Sequence, residues 1–92
     1  MRNETFARTE LLIGEEGLRR LRAAKVAVFG IGGVGGHVVE ALVRSGIGHF
    51  LLVDNDVISG SNLNRQIIAL RSTVGQHKTK VMKARIADIC PE

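Results

Sequence analysis

The sequence predicts an α/β fold in which a βαβ unit forms the N-terminal part of a doubly wound parallel sheet. Three observations predict it. A continuously apolar run, Val26-Ala-Val-Phe29, breaks at once into Gly30, Gly32, Gly33 and Gly35. A second apolar run, Phe50-Leu-Leu-Val53, ends in Asp54-Asn-Asp56, and the segment between the two runs has helical apolar spacing. Strands without polar alternation are expected where helices cover both faces of a sheet, and a helix between two such strands makes the crossover.

Residues 1–24 read as N-terminal helices and residues 25–92 as β-α-β-loop-α, within a single domain. Leu12, Ile13, Leu18 and Leu21 recur among charges at roughly helical spacing, interrupted by Gly14 and Gly17, so one or two short helices are expected. Gly30, Gly32 and Gly35 then fit the Rossmann-like G-x-G-x-x-G spacing, where missing side chains permit a tight turn and close approach of backbone to phosphate. The next helix is expected to bury Val34, Val38, Ala41 and Leu42, to turn His37, Glu40 and Arg44 away, and to stop at Gly46 in a left-handed cap. After the second strand, residues 57–71 read as a polar loop with one helical turn around Leu63 to Ile67. Ser72 or Thr73 is expected to cap a last helix that turns Val81, Ile86 and Ile89 inward and halts at Pro91. Two parallel strands do not complete a doubly wound sheet. The unit is therefore expected to be incomplete in this chain, or to pair its open sheet edge with another chain.

Composition narrows the function classes. Ninety-two residues, 45% hydrophobic and 24% charged, suit one folded unit rather than a disordered segment. No apolar run approaches the ~18 residues of a membrane span, and the first residues lack a signal-peptide core, so a cytoplasmic protein is expected. The single cysteine, Cys90, has no partner for an intramolecular disulfide and no neighbours for a metal site. His37, His49 and His77 read as structural or solvent-facing. The net charge of +4 is unevenly placed: residues 57–87 contain no carboxylate but hold Arg65, Arg71, Lys78, Lys80, Lys83 and Arg85. Such a run fits a polyanionic partner or a solvated helix face.

The glycine turn fixes where a phosphate would sit, because the following helix presents free N–H groups and the positive end of its dipole. It does not name the ligand. Asp54, 19 residues after Gly35, stands where a carboxylate accepts hydrogen bonds from ribose hydroxyls, and suits ATP and NAD equally; it could also cap the turn that follows. Asp56 is close enough to share the site, and paired carboxylates beside phosphates attract Mg2+.

Four blocks in order sharpen the choice: Gly30-Ile-Gly-Gly-Val-Gly35, Asp54-Asn-Asp56, Ser61-Asn62-Leu-Asn64-Arg65-Gln66 and Val74-Gly-Gln-His-Lys78. Together they resemble the ubiquitin-activating-like adenylyltransferases, the ThiF/MoeB/HesA group, over Arg8 to Pro91. The resemblance implies that ATP binds with Gly33 against its phosphates, Asp54 on its ribose, and Asn62, Arg65 and Lys78 on its triphosphate. Ser61 and Asn64 belong to the same stretch, and Arg8 matches an arginine supplied by the partner subunit of a homodimer. The tracts Gly14-Glu-Glu-Gly-Leu18, Ser45-Gly-Ile-Gly48 and Asn64 to Leu70 are most similar to the tRNA threonylcarbamoyladenosine dehydratase branch. That likeness implies ATP- and Mg2+-dependent activation of a carboxylate on a modified tRNA adenosine, followed by dehydrative cyclisation. Adenylation of a sulfur-carrier protein C-terminus, an NAD-dependent oxidoreductase domain and a non-catalytic nucleotide- or RNA-binding module stand as alternatives. A later adenylation-site aspartate and any catalytic cysteine of the family would lie beyond Glu92, so the 92 residues alone are expected to be inactive.

Overall fold

A computed structural model describes residues 4–91. A 3-10 turn, Glu4–Phe6, leads into helix α1, Ala7–Ala23, which breaks at Gly14, where φ 80° and ψ 169° leave the helical region. Its two halves fold back on each other. Phe6 and Arg22 would stand about 24 Å apart in a straight helix, yet the Arg22 guanidinium lies 5.0 Å from the centroid of the Phe6 ring, which is buried. The expected pair of short helices is thus present, and Gly14 rather than Gly17 divides them. The second half is tied to the turn beyond the next helix: the Arg22 guanidinium donates to Gly46 O, and the Gly48 N–H donates to Leu21 O.

Strand β1, Lys25–Phe29, pairs in parallel with β2, His49–Val53, in a register running from Lys25 opposite His49 to Phe29 opposite Val53. Helix α2, Val34–Ser45, connects them and ends at Gly46 in the left-handed region, as expected. Helix α3, Lys78–Ile89, follows the long loop. The core lies on one side of the sheet. Val28, Ile31, Val39, Ile58, Ile68, Ala69 and Met82 form it, with Val26, Phe50, Leu52, Ile67, Val81 and Ile86 packed around them. On the other side, Ala27, Phe29, Leu51 and Val53 are exposed. The expectation of helices over both faces therefore holds for one face only. Helices α2 and α3 pack on that one face, α2 against β1 and α3 against β2, and against each other.

Helix α2 corrects a second expectation. Its buried positions are Gly36, Val39 and Val43, while Val34 and Val38 are exposed and Glu40 turns inward. The cause is Gly36: a Cβ there would meet Ile31 O at 2.5 Å and the Ile67 side chain at 3.2 Å, so only a glycine lets the helix settle at this depth. Periodicity could not choose between the two apolar faces of α2. Glu40, its side chain 13% exposed, accepts a 2.7 Å hydrogen bond from Arg85 Nε and so joins α2 to α3, with Arg44 at 3.4 Å. Arg85 is hence an ion-paired residue and not a free cation of the basic run.

The Arg85 hydrogen bond, opposed by partial burial, holds the Glu40 carboxyl below its ordinary value of 4.5. A depressed carboxylate contributes stability that is present above its unfolded pKa and lost as pH falls through its folded one. Glu40→Gln is expected to cost about 1 kcal/mol near neutral pH, with the gap from wild type closing below pH 4.5. Urea unfolding at pH 7 and pH 3 measures it, and an equal gap at both values would refute the ion pair's role.

Candidate nucleotide-binding site

The C-terminal ends of β1 and β2 build the site. The Gly30 N–H donates to Val53 O at 2.8 Å, fixing the start of the glycine turn to the end of the neighbouring strand. Asp54 then locks the turn: its Oδ2 accepts from the Ile31 N–H and its Oδ1 from the Asp56 N–H, each at 2.8 Å. Burial alone would raise the Asp54 carboxyl, but those two N–H groups and the Lys78 charge outweigh it and hold the group below 3.8. The turn-capping role left open for Asp54 is thus present. Each oxygen still keeps a second lone pair for a ligand hydroxyl. At the start of α2, Gly33 adopts φ 54° and ψ −125°, a conformation that side chains resist, so a bare backbone faces the space above the turn.

The loop after β2 brings the cations to this edge. Ile58 and Gly75 clamp its base through Ile58 N–H to Gln76 O and Gly75 N–H to Ile58 O, both 2.8 Å, beside an antiparallel bridge between Val57 and His77. The expected helical turn is present and begins a little earlier: a 3-10 turn at Gly60–Asn62, where Asn62 Oδ1 accepts from the Ser59 N–H at 2.9 Å, runs into a turn closed by the Gln66 N–H on Asn62 O at 2.9 Å. Asn62 is buried by that role, and the Ser61 hydroxyl sits 2.9 Å from that of Ser59. Arg65 is exposed and folded onto its own loop, donating to Ser61 O at 3.2 Å and to Asn64 Oδ1 at 3.0 Å. Helix α3 begins at Lys78, not after Ser72 or Thr73. The Thr73 hydroxyl is committed to Ile68 O, Leu70 O and the Leu70 N–H, and Gly75 turns the chain with φ 91°.

Lys78 is buried to 7% exposure, with Nζ 3.9 Å from Asp56 Oδ2 and its N–H on Asp56 O at 3.1 Å. Thus Gly30, Gly32, Gly33, Gly35, Asp54, Asp56, Ser61, Asn62, Asn64 and Arg65 occupy the turn, the strand end and the loop, with Lys78 beside them at the start of α3. Arg8 does not join them. It is exposed on α1, without a hydrogen bond or ion pair among the described residues. The contacts of two residues were not legible in the sequence: His37, read as structural or solvent-facing, and Gln66, the last residue of the third block. The His37 ring reaches across from α2 to Arg65 O at 3.2 Å and anchors the loop, and the Gln66 carboxamide lies buried against Gly32. No spacing rule marks a histidine whose partner is a backbone carbonyl 28 positions away.

A glycine turn with bare backbone, carboxylates at the strand end and cations beside a clamped loop make this an α/β unit of the Rossmann type. More narrowly, the chain belongs to the ThiF family, which matches residues 6–92. It is 60% identical over 87 residues to the tRNA threonylcarbamoyladenosine dehydratase of Bacillus subtilis (strain 168), covering 95% of this chain and 34% of the relative. It is 38% identical to the sulfur carrier protein adenylyltransferase of Thermus thermophilus, covering 86% and 29%. The crystal structure of E. coli tRNA N6-threonylcarbamoyladenosine dehydratase in complex with ATP matches with a TM-score of 0.94 at 47% identity, over 97% of this chain and 37% of that one. The chain spans about a third of the length of these relatives.

Proposed function

We propose that the intact protein binds ATP on the glycine turn and uses it to adenylate the threonylcarbamoyl carboxylate of a modified tRNA adenosine; the acyl adenylate then closes to a ring by expelling AMP, a net dehydration of the substrate. Lys78 carries the ATP reading. Its side chain is more than nine-tenths buried, and its ammonium meets one carboxylate oxygen at 3.9 Å, an arrangement that suits a polyanion coming close. A dinucleotide site gives no role to this lysine or to Arg65. In the reaction a substrate carboxylate oxygen bonds to the α-phosphorus of ATP and pyrophosphate leaves. Arg65 and Lys78 draw charge from the departing phosphates, and Asp54 receives the ribose.

The tRNA substrate is supported by the names of the dehydratase relatives at 60% and 47% identity and by the exposed Lys80 and Lys83. The sulfur-carrier alternative rests on the more distant Thermus relative. Asp54 and Asp56 would stand beside a Mg2+ carried by the triphosphate, which would screen the phosphate charge. Among the described residues no three His, Cys, Asp or Glu side chains gather to hold a metal themselves. Arg8 belongs to this proposal as a residue offered to the site of a second subunit, which makes the working form a homodimer. The setting is cytoplasmic, and no helix among the described residues is long and apolar enough to cross a membrane.

ATP–pyrophosphate exchange by the intact protein, with and without substrate tRNA, tests the assignment. Arg65→Ala is expected to weaken ATP use roughly 10- to 100-fold, the loss of a charge-assisted hydrogen bond. Exchange that survives the mutation unchanged sinks the role of Arg65. NADH binding without exchange favours the oxidoreductase reading, and salt-sensitive RNA binding without exchange favours a binding module.

A further inference from the structure

One side-chain hydrogen bond ties the loop that carries Arg65 to the helix behind the glycine turn. His37, near the start of α2, has Nε2 3.2 Å from the backbone carbonyl oxygen of Arg65. A carbonyl only accepts, so Nε2 carries the proton and donates. Among the described residues no backbone N–H reaches Arg65 O. The same part of the loop also presses Gln66 against Gly32 and Ile67 against Gly36, but these are packing contacts, and the buried Gln66 Oε1 has no hydrogen-bond partner among the described residues. Packing limits how closely two segments approach. A hydrogen bond also sets their direction.

The Arg65 side chain gives itself no such fix. It is exposed, and its guanidinium donates only within its own loop, to Ser61 O at 3.2 Å and Asn64 Oδ1 at 3.0 Å. Where that guanidinium stands relative to the turn is therefore set by the backbone of residue 65, and His37 holds this backbone to the helix whose start faces the phosphate space.

We propose that His37 is a positioning residue for ATP, acting through Arg65: its hydrogen bond holds the loop backbone where the guanidinium reaches the departing phosphates. The imidazole itself touches no nucleotide in this role. A phosphate that draws the guanidinium away from Ser61 and Asn64 pulls on the loop, and the bond to Arg65 O resists the pull at the same residue. A neutral donor suffices for this, so the role does not need a charged ring. His37 lies outside all four motif blocks, and the inference rests on the reading that ATP binds at the turn with Arg65 on its triphosphate.

The test uses the intact protein with His37→Phe, which keeps a ring and removes the donor, and His37→Gln, which offers an amide donor at a similar reach. Each is made in the wild-type and Arg65→Ala backgrounds. Calorimetry measures ATP and AMP binding, and thermal unfolding is followed without nucleotide. His37→Phe is expected to bind ATP roughly 3- to 10-fold more weakly, the loss of one hydrogen bond, with AMP affinity and the nucleotide-free melting midpoint close to wild type. His37→Gln is expected to recover most of that loss. In the Arg65→Ala background His37→Phe should cost nothing further, because two residues that act through one contact are not additive. Wild-type ATP affinity in His37→Phe overturns the proposal. So does an equal loss of ATP and AMP binding, or a loss that persists in full without Arg65, each the mark of a merely structural histidine. If His37→Phe does not fold, His37→Ala in the same two backgrounds decides. Wild type that binds no ATP, or Arg65→Ala that binds it as wild type does, refutes the underlying reading, and the role of His37 falls with it.

Discussion

Gly35→Ala is expected to abolish ATP binding and to lower the stability of the intact protein by more than ~3 kcal/mol, beyond the usual range for an overpacked core. A Cβ at this position would stand 1.8 Å from Gly30 O and 2.8 Å from the Gly30 carbonyl carbon. Both are backbone atoms, so no rotamer change relieves the clash. The Gly30 N–H is bonded to Val53 O, and the next residue, Ile31, is bonded to Asp54. Pushing the Gly30 carbonyl aside therefore strains the end of β2 and the carboxylate that locks the turn. Gly60→Ala is the control, because a Cβ there meets nothing within 4 Å and φ is not left-handed. Thermal unfolding with and without ATP reads both variants. A Gly35→Ala protein that melts with wild type and keeps its ATP-induced shift would show that the turn does not require this approach.

The parts of this architecture legible in the sequence are those fixed by local chemistry. Gly30 to Gly35, the two apolar runs and the Gly46 cap specify β1, α2 and β2 with boundaries within a residue or two, because each depends on neighbours in the chain. Partners distant in sequence were not legible. Which face of α2 is buried depends on Gly36 meeting Ile67, and the inward turn of Glu40 depends on Arg85, 45 positions away. The start of α3 was misplaced because Ser72 and Thr73 are good caps in isolation. In the structure Thr73 serves the preceding turn, and the bridge between Val57 and His77 keeps the chain extended up to Lys78. For the candidate site, residue types and order singled out the turn, Asp54, Arg65 and Lys78. The dual engagement of Asp54, the folded-back Arg65 and the unsatisfied Gln66 required coordinates, because each is defined by what its atoms touch.

Lys78→Met is expected to move stability and function in opposite directions. In the nucleotide-free protein this ammonium is poorly placed. It is buried, its one carboxylate partner lies at the outer limit of an ion pair, and it occupies the first residue of α3, where the helix dipole repels positive charge. Removing it leaves Asp56 69% exposed to water, and the part-buried Asp54 loses the Lys78 charge but keeps its hydrogen bonds from the Ile31 and Asp56 N–H groups. Replacing a buried charge by an apolar group of similar length is commonly neutral or stabilising, by about 1–4 kcal/mol. Nucleotide-free Lys78→Met should thus unfold at or above the wild-type midpoint. With a triphosphate on the turn, the costs that disfavour the lysine become its advantage: a desolvated cation at short range interacts with phosphate far more strongly than one in water. ATP-dependent exchange is expected to fall by roughly 100-fold or more, on the scale of removing a preorganised charge stabiliser. Lys78→Arg should recover little of it, because the planar, wider guanidinium does not fit a site shaped around an ammonium. Chemical denaturation without nucleotide and pyrophosphate exchange with it give the two readings. A variant that loses both stability and exchange would make Lys78 a structural residue. One that gains stability and keeps exchange would remove it from the ATP site, and Arg65 with the glycine turn would then have to hold the triphosphate without it.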